Sequence, residues 1–320
     1  MFSLNWLSVV VSYALESSIE LFIIILVIKA VTWVKGLNSP SAKSRFLLLP
    51  LIIPVFFSPA LHLIFPLLGH SAIIVQIERA FPILEHIRSY EGYIAPFLIA
   101  AFLLLLTYNL LIGFAVSLRE VRNNSQTELF SHVRGQKILN HLARQFAVSR
   151  SSLMISTRHP KAAYVFGWRY PIVTLGSTWI RQLDHEEIEA VLAHELAHFK
   201  RGDNWQMLIA KTCRDLMFFN PLAHYIYNEY DEAREQAADD LALQVTHKPL
   251  ALASSLMKFC QLQQAMFTPA GSVGFAYAPH QLEKRIRRLC NYSLPVEIAP
   301  LSNELFYGLS FVLTLALSIV

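Results

Sequence analysis

The chain has 320 residues, of which 54% are hydrophobic and 16% charged, with a formal net charge of +4 at pH 7. Soluble domains carry about 25% charged residues, so the composition argues against an ordinary soluble protein. The apolar content excludes a disordered chain, and a small positive charge without a basic tract argues against direct nucleic-acid binding.

The apolar residues gather into blocks, and in chain order these predict membrane spans. A first is expected at about 10–33, reaching back through Glu16 and Glu20, which lie four apart on one face near the headgroups or toward a bundle interior. A second covers 46–69 and is interrupted by Pro50, Pro54, Pro59 and Pro66, which membrane helices tolerate where neighbours satisfy the freed carbonyls. The third, 93–118, is uncharged and exceeds the roughly 20 residues that cross a bilayer. A shorter fourth is expected at 304–320. No secretory signal peptide is expected, because the first residues lack a positive charge and no small-residue cleavage site closes the apolar run.

Lys35, Lys43 and Arg45 follow the first span, and Arg119, Arg122, Arg134 and Lys137 follow the third, against only Arg79 and Arg88 within 70–92. The positive-inside bias therefore predicts a multi-pass protein of the cytoplasmic (inner) membrane, N-terminus outside, with residues 119–300 in the cytoplasm. Cys213, Cys260 and Cys290 form no Cys-x-x-Cys pair and suit a reducing compartment. The expected fold class is mainly α and integral to the membrane. A membrane domain at 1–118 has three transmembrane helices, an α+β cytoplasmic domain fills 119–300, and a fourth transmembrane helix follows at 304–320.

Within 119–300 helical patterns dominate, and the strand signal is residues 164–175, aromatic and β-branched around a Gly-Trp-Arg-Tyr-Pro turn. Asp184 with Glu187 then reads as a helix N-cap and capping box. That helix runs into His194-Glu195-Leu196-Ala197-His198. Positions i and i+4 share a helix face, so His194 and His198 direct their imidazoles at one ion, with Glu195 beside them as general base. A catalytic zinc needs a third protein ligand and an open position. The second helical pattern, 229–242, offers Glu235 as that ligand. Asp239, one turn on, is the outer carboxylate that fixes the tautomer of a ligand histidine. Ala237, Ala238 and Ala242 permit close helix packing there.

These residues resemble the membrane zinc metallopeptidases of the BlaR/MecR antirepressor type, which are gluzincins. The resemblance rests on Phe166-Gly167 and Pro171, on His194–His198 with Arg201 and Asp203, on Asn220-Pro221-Leu222, and on Arg234-Glu235 with Ala237 and Asp239. It implies a gluzincin-type zinc metallopeptidase domain placed before the last span and one Zn²⁺ per chain. It also implies an endopeptidase whose partners are the lipid bilayer and a cytoplasmic substrate protein, such as a transcriptional repressor cleaved in signal transduction. Prenyl-protein and heat-shock membrane proteases share an Arg-Ile-x-x-Leu element, matched by Arg285 to Leu289, which makes Arg285 a candidate substrate or transition-state contact. Ile172 and Thr174 are candidates for an edge strand to which an extended substrate adds. The family's extracellular penicillin-binding sensor domain is not expected within these 320 residues. Two alternatives remain open: a membrane-protein quality-control protease, and a non-proteolytic signalling receptor with a structural zinc site.

Overall fold

The computed structural model describes residues 6–35, 39–57, 97, 99–112, 115, 133–148, 151–156, 163–167, 170–264 and 279–292. The chain divides into two units, one of Met1–Leu111, Gln206–Ala233 and Ala299–Val320, the other of Ile112–Trp205 and Arg234–Ile298.

In the first unit, α1 (Trp6–Lys35) is followed by α2 (Pro40–Ile52). Ser39 caps α2 by accepting from the Ala42 amide at 3.2 Å, and Pro40 supplies a first helical residue that needs no N–H partner. Pro50 lies inside α2, and the chain then passes into a π-helical turn at Ile53–Phe57 that carries Pro54. Proline removes a donor from the helical ladder, and local widening is one way a helix absorbs that loss. Helix α3 covers 99–112. Leu21, Leu51, Val55 and Phe102 from these helices are buried with Met217, Ile226 and Tyr230 in one apolar core. The ring of Phe56 meets that of Phe102 edge-on at 4.3 Å.

No helix among the described residues is long and apolar enough to cross a membrane. This corrects the expectation of a four-span integral-membrane fold. The first expected span falls on α1, where Glu16, Glu20 and Lys29 interrupt the apolar sequence; the uncharged run between Glu20 and Lys29 is well short of the roughly 20 residues required. Helix α2 has only 13 residues. The block at 93–118 is described as helix over 99–112. Residues 58–69 and 304–320 lie outside the described residues.

The second unit holds α4 (Val133–Gln145), strands β1 (Ser152–Ser156), β2 (Ala163–Phe166) and β3 (Ile172–Gly176), then α5 (Ser177–Gln182) and α6 (His185–Arg201). Further on come α7 (Asp203–Leu216), α8 (Pro221–Thr246), α9 (Pro249–Gln264) and α10 (Pro279–Cys290), with α7 and α8 divided between the units. The sheet order is β1-β3-β2, with β1 parallel and β2 antiparallel to β3. Gly167, at φ +113, closes the β2–β3 connection; a Cβ there would stand 2.2 Å from the Tyr170 carbonyl oxygen. Val173 and Leu175 of β3 pack with Leu139 and Leu142 of α4, Leu192 and Leu196 of α6, and Ala238 and Ala242 of α8.

This topology also corrects the expected substrate edge. β3 is the middle strand, so Ile172 and Thr174 pair on one side with Ser152 and Met154 and on the other with Phe166 and Tyr164. Thr174 is fully buried. Among the described strands, the edge beside the candidate site belongs to β2.

Candidate metal centre

Helix α6 begins where Asp184 accepts from the Glu187 amide at 2.9 Å while Glu187 returns a carboxylate oxygen to the Asp184 amide at 2.8 Å. That reciprocal box satisfies two orphan donors and sets the phase of the helix. With the phase set, Leu192 and Leu196 enter the core while His194, Glu195 and His198 line a cavity of about 270 Å³. Gly202 ends the helix in the left-handed region at φ +71, its amide donating to the carbonyls of His198 and Phe199. This reversal returns Asp203 to the ring of His198.

One ligand atom from each of His194, His198 and Glu235 falls within 4.8 Å of the others, and all three residues are buried. The two histidine Nε2 atoms are 3.1 Å apart. Glu235 Oε2 is 3.4 Å from Nε2 of His194, and Oε1 is 3.5 Å from Nε2 of His198. Behind the rings, Nδ1 of His194 faces Asp239 Oδ1 at 3.0 Å, and Nδ1 of His198 faces Asp203 Oδ2 at 2.7 Å. A carboxylate only accepts, so a neutral ring keeps its proton on Nδ1 at His198, hydrogen-bonded to Asp203 and with Arg234 Nη1 3.3 Å away, and at His194, where Asp239 stands at ion-pair distance. Two Nε2 lone pairs then face each other beside a carboxylate, and two lone pairs cannot bond to one another. Two imidazoles and one carboxylate around an electron-rich gap fit a divalent cation of the borderline-soft class.

Without such an ion a proton takes its place. Burial works against charging His194, but Asp239 and Glu235 outweigh it and push its pKa up to about 9. Burial likewise opposes ionisation of Asp239, yet Arg285 and His194 hold its pKa down at about 2. Glu235 stays ionised well below the usual carboxylate range, because Arg234, Arg285 and His198 override its burial.

Glu195 is buried and lines the cavity beside the histidines. Among the described residues, no hydrogen bond or ion pair holds its carboxylate. Ala163, Tyr164 and Val165 of β2 also line the cavity, Val191, Leu252, Leu256, Phe259 and Leu282 give it an apolar side, and Asn204, Ser255, Arg234 and Arg285 add polar groups.

Arg285 lines the same cavity and is held there by two carboxylates. Its Nε and Nη2 donate to Asp239 at 2.9 and 2.7 Å, and its Nη1 donates to Glu235 Oε2 at 2.8 Å. It therefore grips the third candidate ligand and the carboxylate behind His194 from the wall of the cavity. Two residues that the resemblance singles out without a role take one in three dimensions. Asp203 orients His198 and is itself held by Arg201 Nε at 3.1 Å. Arg234 donates from Nη2 to Glu235 Oε1 at 2.6 Å and lines the cavity. The sequence signal for both was the family resemblance, through Arg201 with Asp203 and through Arg234-Glu235.

A model of the family described as BlaR1 peptidase M56 matches residues 85–289. The chain is 26% identical over 217 residues to the protein named Regulatory protein BlaR1 of Bacillus licheniformis, covering 66% of this chain and 34% of that protein. It is 30% identical over 86 residues to a Protease HtpX homolog of Archaeoglobus fulgidus, covering 26% of this chain and 25% of that protein. A Protease HtpX homolog of Pyrococcus abyssi is 25% identical over 260 residues, covering 65% of this chain and 89% of that protein. The chain thus spans about a third of the BlaR1 relative and about a quarter of the Archaeoglobus one.

Proposed function

The chain belongs to the BlaR1 peptidase M56 family, and from its candidate metal centre we propose that it is a zinc-dependent endopeptidase acting on a cytoplasmic protein. The observation that carries this reading is the convergence of His194, His198 and Glu235 on one gap, with Glu195 beside it. Two imidazoles and one carboxylate, with a position open to the cavity, form a donor set used by catalytic rather than structural zinc. When bound, one zinc ion per chain supplies acidification of a water and polarisation of the scissile carbonyl.

The chain's own residues do the rest. Glu195 takes the proton of the attacking water and passes it to the leaving amine, as a general base that becomes a general acid. Asp239 and Asp203 hold the rings of His194 and His198 with Nε2 toward the gap. β2 offers an edge on which an extended substrate adds as a strand, and the apolar wall of the cavity receives a side chain next to the cleaved bond. A regulator such as a transcriptional repressor is the substrate class we infer, supported by the name of the BlaR1 relative, a regulatory protein. The exposed Phe22 and Leu26 of α1 and Leu103, Leu104 and Leu111 of α3 support a lipid surface as a partner. The reading places the protein at the cytoplasmic membrane with its catalytic unit in the cytoplasm.

The test is Glu195→Gln in the full chain. Zinc content and thermal stability stay as in the parent, while cleaved N-termini present in cells with the parent disappear. If the cleavage products persist, or if a signalling output survives without cleavage, the site is not a catalytic centre.

A further inference from the structure

We infer that Arg234, together with Arg285, lowers the affinity of this centre for its divalent ion, so that the ion is exchangeable and its occupancy can govern the enzyme. The inference rests on the metallopeptidase reading above and concerns how tightly the ion is held.

The carboxylate of Glu235 is gripped at both oxygens. Arg234 Nη2 donates to Oε1 at 2.6 Å, and Arg285 Nη1 donates to Oε2 at 2.8 Å. These are charge-assisted bonds within a buried site, the strongest class of side-chain hydrogen bond. Whichever oxygen serves as the ligand atom is therefore already accepting a bond from a guanidinium. Elsewhere around the ligands, Asp203 is matched by Arg201, and Asp239 by the same Arg285. Three carboxylates thus meet three guanidiniums, so the negative charge of the ligand and of the two carboxylates behind the histidines is matched, and Glu195 is left as the carboxylate at the cavity without a cationic partner among the described residues. Repulsion between a guanidinium and a divalent ion a few ångströms away is weakly screened in such a buried place.

Arg285 is a poor probe of this idea. It is 3% exposed and joins α10 to α8, as does Arg288 through Asp240. Arg234 contacts two candidate ligands directly, with Nη2 at Glu235 Oε1 and Nη1 3.3 Å from His198 Nδ1, and its charge can be changed without cutting the α8–α10 link that Arg285 makes. A purely structural role for Arg234, holding Glu235 in place, predicts the opposite sign: its loss would weaken metal binding, as loss of groups that orient metal ligands does by about 10–100-fold.

The experiment measures zinc dissociation constants for the full chain by competition with a chromophoric chelator, at fixed pH and salt, for the parent, Arg234→Gln and Arg234→Lys. Arg234→Gln should bind zinc about tenfold or more tightly than the parent, while Arg234→Lys, which keeps the charge, should stay within about threefold. Equal or weaker binding by Arg234→Gln overturns the inference while leaving the metallopeptidase reading intact. A parent chain that takes up no zinc overturns both. A second readout needs no variant: zinc transfer from the parent to excess chelator should finish within minutes, and transfer over many hours overturns the inference.

Discussion

Asp203 Oδ2 accepts the Nδ1–H of His198 at 2.7 Å, although the two residues are separated by the end of α6 and the left-handed turn at Gly202. The bond is fully buried at the Asp203 end, and Arg201 Nε holds that carboxylate at 3.1 Å. It fixes which nitrogen of His198 faces the gap. Asp203→Asn retains the size of the side chain and removes its charge. Zinc affinity should then fall about 10–100-fold, with little change in the fold. Chelator competition and circular dichroism on one preparation measure both. An unaltered dissociation constant would show that His198 needs no such partner.

The electrostatics of the metal-free centre set a pH window for stability. His194 has a folded pKa of about 9 against an ordinary value of 6.5, so its contribution is complete below 6.5 and is lost as pH rises through 9. Asp239 works the other way. Its pKa of about 2 against 3.8 gives stability above 3.8 that is lost as pH falls through 2. Metal-free protein should therefore be most stable between these limits and weaken by a few kcal/mol from neutral pH toward pH 9. That size follows from the gap between the folded and ordinary values for His194, at about 1.4 kcal/mol for each tenfold change in proton affinity. Urea midpoints across pH 5 to about 10 test this. With saturating zinc the alkaline decline should vanish, since the ion binds the deprotonated ring. A flat profile without zinc would mean that His194 is neutral in the folded state.

Much of the centre was legible because its geometry is helical. The capping box at Asp184 and Glu187 starts α6, and i,i+4 spacing brings His194 with His198, and Glu235 with Asp239, onto shared faces. Arg234 and Asp203 were singled out by family resemblance, but their contacts were not legible in the same way. Their roles depend on side-chain reach and on one backbone reversal, which no period encodes. Strand order was equally hidden: residues 164–175 read as strand on both sides of the turn, but nothing in the alternation says that β1 occupies the far side of β3. The apolar blocks of the first 118 residues misled most. Hydropathy registers apolar surface without saying what covers it. Leu21, Leu51, Val55 and Phe102 from three of those blocks bury one another with Met217 and Tyr230.

Gly202 links His198 to the carboxylate of Asp203 behind it, and its substitution separates conformational strain from crowding. Its φ of +71 is in the left-handed region, and a Cβ built there would meet nothing within 4 Å. Gly202→Ala should therefore cost about 1–2 kcal/mol through backbone strain alone. Gly202→Asn should cost less, because asparagine tolerates that region at helix ends. The strain is relieved if the chain leaves the left-handed turn, and that movement draws Asp203 away from His198. Zinc affinity should thus decline in the order parent, Asn, Ala, in step with the denaturation midpoints of the metal-free chains. Loss of stability with undiminished zinc binding would mean that the turn only ends the helix and plays no part in aiming the carboxylate.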